Sequence, residues 1–239
     1  LERVWCNLWR RADLQAFDPL RVRDLTTAAG IPPKSVVTAG FDGARRLDST
    51  AIVVTDVLSG AQALWGLWER PADADEWEIT EAEVTASVEQ LMSTYRVWRF
   101  NGDPPHWTDT LGTWAGRWGC VEEWWTNRPR AMAWAVRAYN EAQESGSVTY
   151  VNEDRLLSNS VVPDETTTAA LARHLAAAGR QYINLHDDSG RRLFVLEKMH
   201  ETRKMDAAVA AVLSWQARLD ALRSGKFARR TSSRVRRLY

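Results

Sequence analysis

The chain has 239 residues, 45% of them hydrophobic, which is enough for one large domain or for one domain with extensions. Its 31 basic and 31 acidic residues give a formal net charge of zero, so bulk charge lends none of the support for a nucleic-acid partner that a strongly basic chain would. Its two cysteines, Cys6 and Cys120, form no Cys-x-x-Cys pair, which excludes a cysteine zinc site and favours a reducing cytoplasm over secretion.

Three further classes are excluded by patterns that the sequence lacks. It contains no run of 18 apolar residues, so no membrane span and no membrane partner are expected. It shows no signal peptide. It also lacks the GxxxxGK[ST] loop that cradles nucleotide phosphates, so the chain carries no recognisable P-loop ATPase.

Residues 1–35 show no clean hydrophobic period and are punctuated by Asp18-Pro19 and Pro32-Pro33. This segment is predicted to be an N-terminal extension or linker with one short helix. Regular structure is predicted to begin at Val36.

Three strands are predicted at residues 36–42, 51–57 and 62–69, with short connections typical of an antiparallel meander. Helices and strands then alternate. The later predicted elements are a helix at 80–95, a strand at 97–101, a helix at 107–118, a strand at 120–125, helices at 129–146 and 164–179, a hairpin of 182–185 with 193–196, and a helix at 204–222.

This order predicts an α/β fold, with a mixed sheet flanked by helices on both faces. The predicted domain covers residues 36–222. Residues 223–239 contain seven lysines and arginines with few apolar residues, and are predicted to form a flexible cationic tail.

Three aspartates stand at the ends of these elements. Asp42 ends the first long strand, on the same face as Gly40. Asp103 follows the strand at 97–101 and precedes two prolines. Asp206 lies in the first turn of the last helix, on the apolar stripe that also carries Val209 and Leu213.

Carboxylates from separate elements are what Mg²⁺ or Mn²⁺ would require, because these hard ions prefer oxygen ligands. Each aspartate also has a simpler explanation. Asp42 before a glycine is typical of a turn, Asp103 before a proline is typical of a loop, and Asp206 could complement the helix dipole. Position alone leaves both readings open.

The segments around these aspartates resemble the three motifs of the nuclease domain in the large terminase subunits of tailed phages. The first comprises residues 40–43 (Gly-Phe-Asp-Gly) and 48–53 (Asp-Ser-Thr-Ala-Ile-Val). The second is residues 102–107 (Gly-Asp-Pro-Pro-His-Trp), and the third is residues 204–213 (Lys-Met-Asp-Ala-Ala-Val-Ala-Ala-Val-Leu). The resemblance spans residues 36–222, with the motifs in the family's order.

The resemblance implies an RNase H-like fold that binds two divalent metal ions, Mg²⁺ or Mn²⁺, and cleaves double-stranded DNA. It implies that Asp42, Asp103 and Asp206 are the metal-binding and catalytic carboxylates. Asp48 recurs in the first motif, either as an outer-shell acid or, as turn chemistry favours, as a residue that orders the loop after Asp42. Lys198 resembles a basic position before the third motif, where it would hold phosphate or simply end a solvated strand.

Three further residues are candidate contacts to DNA phosphate. Arg173, His174 and Arg180 bracket a predicted helix, and the alternative is an ordinary solvated helix face.

We therefore expect a terminase-type endonuclease of the host cytoplasm that cuts DNA concatemers during phage genome packaging. Its implied partners are DNA, the terminase ATPase domain, the small terminase subunit and the portal. One alternative is a non-cutting module that docks on DNA or on the portal. Another is a different RNase H-like nuclease, such as a transposase or resolvase, against which the Gly-Asp-Pro-Pro and Asp-Ala-Ala-Val-Ala segments weigh.

Overall fold

A seven-stranded mixed sheet forms the centre of the protein, in a computed structural model that describes residues 14–44, 48–70, 77–152, 162, 165–200 and 202–227. The strands are β1 (Thr26–Thr27), β2 (Val36–Gly43), β3 (Ser49–Asp56), β4 (Ala61–Glu69), β5 (Arg96–Gly102), β6 (Val121–Glu123), β7 (Thr149–Val151), β8 (Ala178–His186) and β9 (Arg192–Lys198). The helices are α1 (Pro19–Asp24), α2 (Glu81–Thr94), α3 (Thr108–Trp118), α4 (Pro129–Ser145), α5 (Thr167–Ala177) and α6 (Asp206–Arg223).

The order of strands in the sheet is β1-β7-β4-β3-β2-β5-β6. The β2, β3 and β4 strands pair antiparallel, which confirms the predicted meander, and β5 then adds in parallel beside β2, followed by β6. The predicted late hairpin is also confirmed, as a separate pair of longer strands, β8 and β9. The α/β fold with a mixed sheet is therefore as predicted.

Both faces of the sheet are covered. Along β3, Val53 packs into a core with α4, α5 and α6, whereas Ile52 and Val54 pack into a second core with α2 and α3. This explains why β3 reads as an almost continuous apolar run. None of the helices within the described ranges has the length and apolar content needed to cross a bilayer.

The N-terminal segment differs from the prediction over its described part. Phe17 and Val22 are buried in the core beside α4 and α5, and β1 pairs in parallel with β7 at the edge of the sheet. Residues 14–27 are thus part of the domain and not a linker before it. The signal was weak because β1 and β7 are too short to show a period. Residues 1–13, and 228–239 of the predicted tail, lie outside the described residues.

The last helix, α6, crosses one face of the sheet in close contact with β2. Thr38 donates its hydroxyl to the carbonyl of Ser214 at 2.9 Å, and a Cβ on Gly40 would lie only 2.0 Å from the carbonyl oxygen of Ala210. Two residues of strand rise about 6.8 Å and four residues of helix rise about 6 Å. Successive steps of two along β2 therefore match steps of four backwards along α6, and the next step brings Asp42 to Asp206.

We expect Gly40→Ala to lower the free energy of unfolding by about 2–3 kcal/mol, because the added methyl group meets the helix backbone, which cannot rotate away. Urea denaturation would measure the loss. The matched control is Gly112→Ala in α3, where a Cβ meets nothing within 4 Å and the substitution should gain about 0.5–1 kcal/mol. Equal stability of the two variants would contradict the close approach of α6.

Candidate metal centre

The three aspartates converge at one end of the sheet. Phe41 pairs with Gly102 in the parallel β2–β5 ladder, and the Asp103 N–H donates to the Phe41 carbonyl at 3.0 Å, so Asp42 and Asp103 follow adjacent strand ends. Asp206 is the first residue of α6, at the end of the helix that reaches Asp42. Three elements distant in sequence thus meet here.

Negative charge is concentrated around Asp42. Desolvation raises the pKa of Asp42 well above its ordinary value, and the neighbouring carboxylates of Asp206, Asp103 and Asp48 raise it further. Burial likewise raises the pKa of Asp206 to about 6, with a further contribution from Asp48. Such shifts mark a site where anions are held together against their mutual repulsion.

Two hydroxyl residues orient the other carboxylates. Thr126, in the loop before α4, donates to both oxygens of Asp103, from its N–H at 3.1 Å and from its hydroxyl at 2.6 Å. These bonds oppose the effect of burial, which still raises the pKa of Asp103. Ser49 donates its hydroxyl to Asp206 Oδ2. Neither role was predicted, because an isolated serine or threonine gives no sequence signal.

Asp48 lies at the edge of this cluster and is paired with cations. Lys198 binds its Oδ2, and the Lys204 Nζ lies 3.3 Å from its Oδ1. Burial alone would raise the pKa of Asp48, but the two lysines outweigh it and hold the pKa below its ordinary value. Asp48 thereby ties the start of β3 to the end of β9 and to the segment before α6. Its role in ordering the loop after Asp42 stays a prediction, because residues 45–47 lie outside the described residues.

The donor set suits a hard divalent cation, because it consists of carboxylate oxygens whose repulsion a cation would offset. In the described part of the chain, however, no three Asp, Glu, His or Cys side chains stand close enough together to hold an ion as they are. An ion bound at this site would take further oxygen ligands from water or phosphate.

A cavity of about 320 Å³ opens beside Asp42. It lies between α4, the β8–β9 hairpin and α6, and its walls include Met132, Gln181 and Val209. Asp42 is the one charged residue among the described residues that line it, and the others are apolar or polar without charge. The cavity thus reaches Asp42 from one side.

The structure describes all three residues that were predicted to contact DNA phosphate. His174 is fully buried, with hydrogen bonds to Glu69 and to the backbone of Ala207, so it cannot reach a phosphate and that prediction is wrong. The guanidinium of Arg173 is paired with the carboxylates of Glu69 and Glu165, an arrangement that does not favour the predicted contact with DNA phosphate.

Arg180 lies on the hairpin over the ring of Phe194, where it lines a second groove together with Arg192 and Tyr182. Its contact with DNA stays a prediction.

Comparison with known proteins identifies the fold. No family model and no curated protein matches the chain. Among solved structures, it is similar to the large terminase nuclease from thermophilic phage G20c, with a TM-score of 0.53 and 15% identity over 85% of this chain and 98% of that chain. The same nuclease with bound magnesium matches equally well. The HK97 bacteriophage large terminase matches with a TM-score of 0.60 and 17% identity, over 85% of this chain but only 43% of that chain.

The chain therefore has the fold of large-terminase nuclease domains, as the motifs implied. Against the HK97 protein it corresponds to less than half of the whole. At these identities the likeness establishes the fold alone.

We expect Asp42→Asn to raise the melting temperature in EDTA at pH 8, because it removes an anion that its neighbours repel. A rise of about 2–4 °C would correspond to 1 kcal/mol in a chain of this size. A carboxylate whose pKa is raised by folding destabilises the native state above that pKa. The gain should therefore shrink as the pH falls through the raised pKa towards about 4.

Asp48→Asn is the matched control, with the opposite sign. Its lowered pKa means that the charged form stabilises the fold above the ordinary pKa and that this stability is lost in acid. Asp48→Asn should lower the melting temperature at pH 8. Shifts of the same sign in both variants would contradict the charge distribution described above.

Proposed function

We propose that this chain is a metal-dependent endonuclease domain that hydrolyses double-stranded DNA during phage genome packaging. The observation that carries the proposal is the convergence of Asp42, Asp103 and Asp206 from β2, β5 and α6 within the terminase nuclease fold. Support also comes from the G20c nuclease, which has been solved with bound magnesium and with bound cobalt.

In this proposal the three aspartates hold two divalent ions, Mg²⁺ or Mn²⁺. When bound, such ions would supply Lewis-acid stabilisation to the attacking and leaving oxygens of a phosphodiester displacement. Asp42 is the proposed central ligand, because the carboxylates of Asp206, Asp103 and Asp48 all raise its pKa.

The surrounding residues orient these ligands. Thr126 restricts the Asp103 carboxylate through two bonds, and Ser49 restricts that of Asp206. Lys198 keeps Asp48 anionic, and it is the proposed contact to a phosphate of the bound strand. Such outer contacts commonly change metal affinity or activity by ten- to a hundredfold when removed.

We extend the proposal to the biological context of the domain. The HK97 large terminase is longer than this chain, so we propose that the domain works with a terminase ATPase domain, a small terminase subunit and the portal in the host cytoplasm. The site contains no visible base-reading motif, so we expect cutting with little sequence preference.

The test is cleavage of a supercoiled plasmid with Mn²⁺, Mg²⁺ or EDTA. We expect metal-dependent linear product from the wild type, and a loss of at least about a hundredfold in Asp42→Asn and Asp206→Asn, since each removes a proposed ligand. Asp109→Asn, at an exposed carboxylate on α3, is the control and should cut normally. DNA binding without cutting under any metal would instead support the docking module.

Thr126 allows a sharper test of ligand orientation. Thr126→Val keeps the shape but removes the hydroxyl that binds Asp103, and we expect the single-turnover cleavage rate to fall about tenfold or more. Thr126→Ser retains the hydroxyl and should retain most of the rate. If the two variants cut equally, the hydroxyl has no part in orienting Asp103.

A further inference from the structure

A chain of buried polar groups runs from the end of β4 to the start of α6. Glu69, the last residue of β4, is almost fully buried and accepts two hydrogen bonds from the Arg173 guanidinium, at 2.9 and 2.7 Å. It also lies 3.1 Å from Nε2 of His174, whose side chain is completely buried on α5. On the other side of the imidazole ring, Nδ1 accepts the backbone N–H of Ala207 at 3.1 Å.

The partners of His174 fix its tautomer. The backbone N–H of Ala207 can only donate, so Nδ1 must carry a lone pair. Burial alone would raise the pKa of Glu69, but hydrogen bonds from His174 and Arg173 outweigh it and hold that pKa well below the ordinary range, so Glu69 is an acceptor and Nε2 carries the proton. The neutral ring is therefore oriented by an anion on one side and a backbone donor on the other.

The start of α6 has an unusual cap. Met205 occupies the N-cap position and provides no side-chain acceptor, whereas helices ordinarily satisfy their second or third N–H from the N-cap side chain. His174, 33 positions earlier in the chain, supplies that acceptor instead. The first turn of α6 is thereby fixed to α5 and β4, and not by its own sequence.

Asp206 immediately precedes the capped amide. We propose that His174 is a positioning residue that fixes the first turn of α6 through the Ala207 N–H, and so sets the Asp206 carboxylate for metal binding. The metal part rests on the proposed function. The fixing of the first turn does not, because it follows from the hydrogen bonds alone.

Two substitutions separate the two hydrogen bonds of the ring. In His174→Asn the side-chain oxygen stands near the position of Nδ1, so it can accept from Ala207 but cannot reach Glu69. In His174→Gln the longer amide reaches Glu69 and leaves no acceptor for Ala207. Both variants lose one buried contact, so a purely structural role would affect them alike.

The first measurement needs no metal. By NMR hydrogen exchange in EDTA, the Ala207 amide of the wild type should be protected, although first-turn amides lack an acceptor within the helix. His174→Gln should speed its exchange by about tenfold, the ratio expected for one ordinary hydrogen bond, and His174→Asn should not. An unprotected Ala207 amide in the wild type, or equal exchange in both variants, would overturn the proposal.

The second measurement is Mn²⁺ binding by calorimetry, without DNA. His174→Gln should raise the dissociation constant by about ten- to a hundredfold. His174→Asn should bind Mn²⁺ almost as tightly as the wild type, although it also lowers the melting temperature. His186→Gln, at an exposed histidine on the hairpin, is the matched control and should change neither the dissociation constant nor the melting temperature. If the affinity for Mn²⁺ falls in step with the melting temperature in both His174 variants, then His174 has only a packing role.

A wild type that binds no Mn²⁺ would overturn the metal centre itself, and with it the metal part of the proposal. The exchange of the Ala207 amide would then decide separately whether His174 fixes the first turn of α6.

Discussion

The close approach of α6 to β2 is the constraint on which the site depends. Only a glycine at position 40 lets the helix backbone lie against the strand, since a side chain there would overlap the Ala210 carbonyl. The packed face of α6 is rich in alanine, and small side chains alone would allow a helix to slide. Its position is set by polar side chains that donate to mid-helix carbonyls, Gln62 to Ala211 and Asn101 to Leu213. Buried polar pairs of this kind favour one arrangement over its neighbours, and a slip of one turn would move Asp206 about 5.4 Å from its partners.

The secondary-structure elements and the three aspartates could be predicted from the sequence, whereas the hydroxyl partners of the aspartates could not. Hydrophobic periodicity and turn residues predict the meander and the helices. The three aspartates stand at the ends of these predicted elements. Thr126 and Ser49 could not be found, because a hydroxyl acquires its role only from the carboxylate that the fold brings to it. His174 lies on the same face of α5 as the buried Leu171 and Leu175. Its burial could therefore have been predicted from the sequence, which would have argued against a contact with DNA phosphate.

The clustered carboxylates oppose the stability of the native fold. Acidic and basic residues are balanced over the whole chain, yet carboxylates meet at the ends of β2 and β5 and the start of α6. Local repulsion of this kind is a recurrent cost of functional sites, and the rest of the core must offset it. A ligand that binds only the native state would return that stability by mass action. The same groups that make the apo protein less stable would therefore make it responsive to cation concentration.

The position of α6 in the chain has a consequence for synthesis on the ribosome. The helix that completes the centre of one core is also the last described helix, whereas β2 and β5 are made far earlier. At 5–20 residues per second, the delay between Asp42 and Asp206 is on the order of ten seconds. Until Asp206 is made, the nascent chain lacks the third carboxylate, and part of an apolar sheet face stays uncovered, so the chain is prone to aggregation. A chain that ends before α6 lacks both the helix that fills one of the two cores and the third carboxylate of the cluster.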